Sequence, residues 1–164
     1  TVLTLENGDS VYIPCPIIDS ARLAEIPETG LMDPLPDEAT FVSAFILDIY
    51  NEGRLVGLGN ESGLVDFSSA SDTSGSLYIY WNGSSWVEVT NQTFPFMSLI
   101  FVVPEEILRE DLAILYWNGV EWVELTDGLQ LGDGRNVGQG GHLDDKLRFV
   151  ATVNFTGTFV LVNK

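Results

Sequence analysis

The sequence has few of the side chains from which most catalytic and metal sites are built. Its 164 residues include 1 cysteine and 1 histidine. Cys15 has no second cysteine with which to form an internal disulfide. A Ser/His/Asp arrangement would depend wholly on His142, which follows a glycine-rich run and has no nucleophile elbow near it. We therefore expect no catalytic residues and no enzyme.

Basic residues are also scarce. The chain has 7 Lys and Arg against 24 Asp and Glu, a formal net charge of −17 at pH 7. Such a chain repels phosphate backbones, so nucleic acid is not an expected partner. The acidity suits a saline or calcium-rich exterior, or it serves solubility alone. The longest apolar stretches, 41–49 and 99–103, are the length of a strand, so we expect no membrane span.

The sequence does contain two similar copies of one predicted hairpin. Residues 77–90 align without gaps to residues 113–126, and both copies carry Tyr-Trp-Asn-Gly, a second Trp with Val-Glu after it, and a closing Thr. Asn-Gly between aromatic and β-branched runs predicts a β-hairpin with a type I′ turn. The tryptophans that flank each turn are expected to form a cross-strand aromatic pair. These pairs are Trp81 with Trp86 and Trp117 with Trp122.

The rest of the sequence also predicts strands. Short apolar runs alternate with Gly-, Asn- and Pro-containing turns, and two segments, Ser20–Ile26 and 104–110, each indicate one helical turn. Residues 14–39 otherwise read as a long ordered loop. This pattern predicts an all-β fold, an antiparallel β-sandwich of the immunoglobulin-like or jelly-roll-like kind, forming a single domain over 1–164.

The second half of the chain resembles a known kind of module. The run Val102-Val103-Pro104-Glu105-Glu106-Ile107-Leu108, the hairpin with Trp117-Asn118-Gly119 and Trp122-Val123, and the strand Thr152–Phe159 carry the resemblance. They are similar to the closing half of β-sandwich modules in bacterial and archaeal cell-surface and surface-layer-type proteins. The match covers about residues 96–164. The resemblance implies a structural or binding role at a cell surface.

Some modules of this kind cleave themselves at a Phe–Ser bond that follows a histidine. In this chain the histidine position is Asn154 and the nucleophile would be Thr156. We expect no self-cleavage, because no nearby base remains to activate the hydroxyl group. We expect Phe155 and Phe159 to face the core and Thr156 and Thr158 to lie near the surface.

Four Asn-X-Ser/Thr sequons indicate an exported protein. They predict N-glycosylation at Asn60, Asn82, Asn91 and Asn154. The chain begins at Thr1 rather than Met, which fits a removed leader or an excised piece of a longer chain. We expect an extracellular or cell-surface location, with a glycan as a further candidate ligand.

Two groups of side chains are candidate binding sites. Four aspartates lie in an irregular, glycine-containing region, where their oxygens form either a calcium site or a solvated acidic loop: Asp127, Asp133, Asp144 and Asp145. No other cofactor is expected. The four hairpin tryptophans either stack on sugar rings or belong to the core and the hairpin clamps: Trp81, Trp86, Trp117 and Trp122.

These observations favour an extracellular structural protein, a module of a filament, pilus-like fibre or surface layer. Its partners are expected to be copies of itself or other cell-surface proteins. The first six residues include a strand that either pairs within its own domain through the Asn7-Gly8 turn or is donated to a neighbour's sheet. The alternative function is a carbohydrate-binding or adhesion module of a larger secreted protein.

Overall fold

A computed structural model describes residues 2–13, 20–51, 54–56, 78–81, 86–89, 96–132 and 135–164, and gives only the backbone of 20, 49–51, 54–56, 78–81 and 86–89. Cys15 lies outside the described residues. One 3₁₀ turn, Glu28–Gly30, accompanies the strands. The strands are β1 (Val2–Thr4), β2 (Ser10–Tyr12), β3 (Ser20–Glu25), β4 (Thr40–Asn51), β5 (Arg54–Val56), β6 (Tyr78–Trp81), β7 (Trp86–Val89), β8 (Met97–Val102), β9 (Leu112–Trp117), β10 (Trp122–Glu124), β11 (Gln130–Gly132), β12 (Arg135–Asn136), β13 (His142–Leu143), β14 (Arg148–Val153) and β15 (Gly157–Asn163).

Two antiparallel sheets form the body of the molecule. The five-stranded sheet has the order β1-β2-β8-β14-β13, and the six-stranded sheet has the order β10-β9-β15-β4-β3 with β5 paired to the end of β4. Two further pairs, β11 with β12 and β6 with β7, form small two-stranded ribbons. This architecture confirms the predicted antiparallel β-sandwich.

The core lies between the two sheets. Strand β8 sends Met97, Leu99 and Phe101 inward, each with 0% of its surface exposed, while the residues between them point outward. The Phe101 ring stacks on Phe45 of the opposite sheet at a centroid distance of 4.6 Å. Alternation with period two therefore directs one face of each strand into a shared apolar layer.

A second apolar layer covers the outer face of the six-stranded sheet. Its buried side chains come from three adjacent strands, and residues of the 26–39 segment pack over them. Strand β9 is consequently buried on both faces. The buried members of this layer are Ala44, Ala113, Leu115, Val160 and Val162, and the covering residues include Ile26, Leu31 and Leu35.

Both predicted helical turns were wrong. Ser20–Glu25 is strand β3, because pairing with β4 places Leu23 against the core and Arg22 beside Asp48. Cross-strand pairing here overrides the local preference for a turn. The 104–110 segment contains no helix, and its turn is closed by the Ile107 N–H donating to the Pro104 carbonyl at 3.0 Å.

The expectation for Phe155 and Phe159 is confirmed, since both are 0% exposed. The expectation that Thr156 and Thr158 lie near the surface was wrong, because they are only 1% and 3% exposed. Thr158 belongs to strand β15, which lies between β4 and β9 and is covered on its outer face by the second apolar layer, whereas Thr156 lies in the turn before this strand. A central strand covered on both faces buries polar and apolar side chains alike.

The Asn-Gly turn of the second hairpin also differs from the predicted type I′ geometry. Trp117 pairs with Trp122, so residues 118–121 form a four-residue loop. Gly119 has a φ of 98°, whereas Asn118 has no positive φ. Its side-chain Oδ1 instead accepts the Val120 and Glu121 N–H groups, each at 2.8 Å. The asparagine acts here as a hydrogen-bond acceptor for the loop.

In the described part of the chain, no helix has the length and apolar character needed to cross a membrane.

Candidate functional site

The tryptophan pair of the second hairpin forms the expected clamp. Trp117 and Trp122 lie directly opposite each other with ring centroids 5.2 Å apart and planes tilted by 59°. The Trp122 Nε1–H donates to the Asp33 carbonyl at 3.1 Å. The pair therefore fastens the 26–39 segment over the outer face of the six-stranded sheet. In the first hairpin the register likewise places Trp81 opposite Trp86, but their side chains lie outside the described residues.

This position limits what the second hairpin offers to a sugar. Trp117 is only 8% exposed, and Trp122 is half-buried against the second apolar layer. Stacking on a sugar ring requires an open aromatic face. The described pair therefore favours clamping over sugar binding, and a stacking platform would depend on Trp81 and Trp86.

The candidate calcium residues are engaged in separate local contacts. Among the described residues, no group of three or more His, Cys, Asp or Glu side chains is arranged to hold a metal ion. Asp127 accepts the Gly140 N–H at 2.7 Å, and Asp145 is exposed to solvent. Asp133 lies outside the described residues. The other three do not share one group of three or more ligands in the part of the chain that the structure describes.

Asp144 forms an ion pair with an arginine. Its oxygens accept the N–H groups of Lys146 and Arg148, and the Arg148 guanidinium forms an ion pair with it at 2.7 Å. Desolvation raises the pKa of Asp144, but the hydrogen bonds from Arg148 and Lys146 and the charge of Arg148 together outweigh it, so the pKa is lowered overall. The 144–148 turn is thereby closed on itself.

His142 lies in strand β13 and not in a free loop. It pairs with Val150 of β14 and is half-buried, and its Nδ1 lies 3.0 Å from the Gly140 carbonyl oxygen. The glycine-rich sequence before it had suggested a wholly irregular segment. His142 and Leu143 pair with β14, so this part of the region is a strand.

Three of the four sequon asparagines, Asn60, Asn82 and Asn91, lie outside the described residues. Asn154 is described and is only 1% exposed. Its Oδ1 accepts the Asn136 N–H at 2.7 Å. A glycan needs a solvent-facing asparagine, so the position of Asn154 argues against glycosylation there in the folded protein.

The N-terminal strand pairs within its own domain. Leu3 of β1 lies opposite Val11 of β2, and Leu3 and Leu5 pack against the main core. The turn between the strands is closed by Gly8, whose φ is 96°, and by the Leu5 N–H donating to the Asp9 carbonyl at 2.8 Å. This is the three-residue hairpin loop with a glycine in the left-handed region.

Asp9 is a structural residue that the sequence did not single out. It is 1% exposed, and its carboxylate accepts the Val102 N–H at 2.8 Å and the Asn7 side-chain N–H at 3.1 Å. Burial raises its pKa above the ordinary value. Nothing distinguishes it in sequence from the other 23 acidic residues except its place after an Asn-Gly turn.

No family model, curated protein or solved structure matches this chain. The resemblance of residues 96–164 to cell-surface modules therefore stays a prediction, and function is argued below from the geometry.

Proposed function

We propose that this chain is a non-catalytic, extracellular structural module that assembles into a filament, pilus-like fibre or surface layer by strand addition. The observation that carries the proposal is strand β1 at the outer edge of the five-stranded sheet. In the part of the chain that the structure describes, no strand pairs with its other side. An edge of this kind offers main-chain hydrogen bonds to another strand.

The hydrogen-bond pattern of the hairpin identifies the groups on that edge. The Leu5 N–H donates to Asp9 across the turn. In an antiparallel pair such residues alternate, so Leu3 bonds to β2, while the N–H and C=O groups of Val2 and Thr4 point away from it. These outward groups are the ones that a neighbour's strand would meet.

The composition of β1 supports this role. Natural edge strands are commonly blunted by lysine, proline or a bulge. The residues Val2, Leu3 and Thr4 include none of these, and their pairing with β2 is regular. Among the described residues, the feature of β1 that limits unwanted pairing is its short length of three residues.

Donation of the first six residues to a neighbour is the second form of the same proposal. Leu3 and Leu5 would leave their own core and occupy the equivalent place in the next copy. Such an exchange conserves the buried contacts, so its main cost is the opening of β1 from β2. The extracellular setting is supported by the sequons at Asn60, Asn82 and Asn91.

Two variants test the proposal and separate its two forms. Thr4→Pro removes an outward N–H without removing a bond to β2, and Thr4→Ser is the control that keeps the N–H. A second variant lacks residues 1–6. Assembly is followed by light scattering and electron microscopy, and folding by circular dichroism.

If a strand adds to the β1 edge, Thr4→Pro abolishes polymers and Thr4→Ser does not. If β1 is donated, the shortened chain folds and binds added peptide 1–6, but it does not polymerise. Polymers that persist unchanged in both variants would contradict strand addition. A wild-type chain that stays monomeric and binds polysaccharide, with loss of binding in Trp81→Ala, would favour the adhesion alternative.

A further inference from the structure

The outer face of the five-stranded sheet, here called the open face, carries apolar side chains among small polar ones, with His142 and Arg148 on its β13–β14 side. The inward residues of β8 and β14 are buried in the core, so the residues between them point outward. The register extends this face to β1 and β2, since Val2 pairs with Tyr12 and Tyr12 with Ser98. Its apolar members are Val2, Tyr12, Phe96, Ile100, Val102 and Val150.

Much of this apolar surface is accessible. Val2 is 61% exposed, Tyr12 and Phe96 are each 46% exposed, and Val102 is 38% exposed. Phe96 belongs to this face because it lies beside Gly138 together with Thr152, an outward residue of β14. The outer face of the other sheet is covered by the 26–39 segment, whereas no described segment covers the open face. Apolar patches of this kind mark interaction sites.

The open face carries one carboxylate in the described part of the chain, that of Asp144 at its rim, which is paired with Arg148. None of the outward positions on its five strands is Asp or Glu, in a chain that has 24 such residues. Its one arginine, Arg148, is already paired with Asp144 at the rim. A basic partner would be attracted to the acidic surface elsewhere on the molecule, and not to this face. An acidic partner therefore meets little repulsion at this face.

We propose that the open face binds the open face of a second copy of this chain, in a two-fold, face-to-face contact. Each copy carries a charge of −17, and the open face has no unpaired carboxylate among the described residues, so two copies can meet there with little repulsion. Sheets pack face to face at about 10 Å through apolar side chains. A two-fold contact uses the same patch on both copies.

The size of the face predicts a weak contact. Five strands and a six-residue β8 give a patch of about 20 Å by 20 Å, or about 400 Å² per copy. A standard stable interface buries about 800 Å² per partner. Two free copies should therefore associate only at high concentration, on the order of 0.1–1 mM. In an assembly that holds neighbours together, the same contact becomes populated.

This inference names a contact between copies and so rests on the proposed assembly function. Sedimentation equilibrium of the full chain tests it, over protein concentrations up to about 1 mM at 0.1 M and 1 M NaCl. Raising the salt shortens the Debye length from about 10 Å to about 3 Å and should strengthen association. Tyr12→Glu and Phe96→Glu should each weaken it at least tenfold.

Val120→Glu and Leu108→Glu are the matched controls. Both residues are more exposed than Tyr12, at 80% and 73%, and neither belongs to the five-stranded sheet. Association that the controls leave unchanged and the face variants abolish would support the inference. A monomer at every concentration and salt would overturn it, as would equal loss in the controls or binding of this face to polysaccharide in place of a second copy.

The outcome is separable from that of the proposed function. If native filaments exist and Tyr12→Glu leaves association unchanged, the face-to-face contact is wrong and the function stands. If the contact forms in solution and the native protein is solitary, the function is wrong and the contact stands.

Discussion

The buried carboxylate of Asp9 accepts a hydrogen bond of 2.8 Å from the backbone N–H of Val102, 93 residues further along the chain. Val102 ends strand β8, and Asp9 lies in the turn that joins β1 to β2. The bond therefore fastens the N-terminal hairpin to the centre of the five-stranded sheet. Any opening of β1 and β2 as a unit must break it.

The burial of the Asp9 carboxylate predicts that its contribution to the free energy of unfolding depends on pH. Burial raises the pKa of Asp9 above its ordinary value of 3.8, and the nearby Glu25 raises it further, while the bond from Val102 opposes the shift. The stabilising contribution is fully present below pH 3.8 and is lost as the pH rises through the raised pKa. Asp9→Asn cannot ionise, so its free energy of unfolding should gain on that of the wild type as the pH increases.

Urea unfolding between pH 4 and pH 7 measures that difference. The exposed Asp145→Asn is the control for removal of one negative charge. A difference between Asp9→Asn and the wild type that stays flat over this range would contradict burial as the cause.

The Trp122 clamp predicts a local effect in the 26–39 segment. Trp122→Phe keeps an aromatic ring opposite Trp117 and removes the Nε1–H bond to the Asp33 carbonyl. We expect a loss of about 1 kcal/mol in stability. Hydrogen exchange should accelerate in the 26–39 segment and not in β8. Uniform acceleration throughout the protein would show that the indole bond has no specific role there.

The core predicts a large difference between two phenylalanines. Phe101 of strand β8 stacks on Phe45 inside the sandwich. Phe96, the residue immediately before β8, is 46% exposed. Phe101→Ala should cost about 3–5 kcal/mol, and Phe96→Ala less than about 1 kcal/mol. Denaturant unfolding at low protein concentration compares them. Equal costs would contradict the assignment of inward and outward faces on which the open face depends.

Asn154 should carry no glycan in the native protein. Its side chain is buried and accepts the Asn136 N–H. Peptide mapping of protein from its source should find the Asn154 peptide unmodified, whatever the state of Asn60, Asn82 and Asn91. Asn154→Ala should also destabilise the fold by about 1–3 kcal/mol, because it leaves a buried N–H without an acceptor. A glycan found on Asn154 in folded protein would contradict this prediction.

The alternating strands and the second hairpin could be predicted from sequence because the relevant signals are local. The Asn118-Gly119 signal locates this hairpin, whereas the direct pairing of Trp117 with Trp122 depends on the four-residue loop 118–121 and not on the predicted two-residue turn. Strand β3 could not be predicted in the same way. Its residues have no strong strand pattern, and they become a strand through pairing with β4, with Arg22 beside Asp48.

The candidate sites depended on distant contacts even more strongly. Trp122 is held against the 26–39 segment, which is remote in sequence. Asn154 is buried where its side chain accepts the Asn136 N–H. Asp9 is buried where its carboxylate accepts the Val102 N–H of strand β8. Sequons and aspartate clusters are recognised by local spacing, which carries no information about such long-range cover.

Electron microscopy of the protein isolated from its native source, with intact mass measured on the same sample, tests the central proposal most directly. We expect regular fibres or sheets whose subunits carry glycan mass. Monodisperse, unmodified monomers would contradict it.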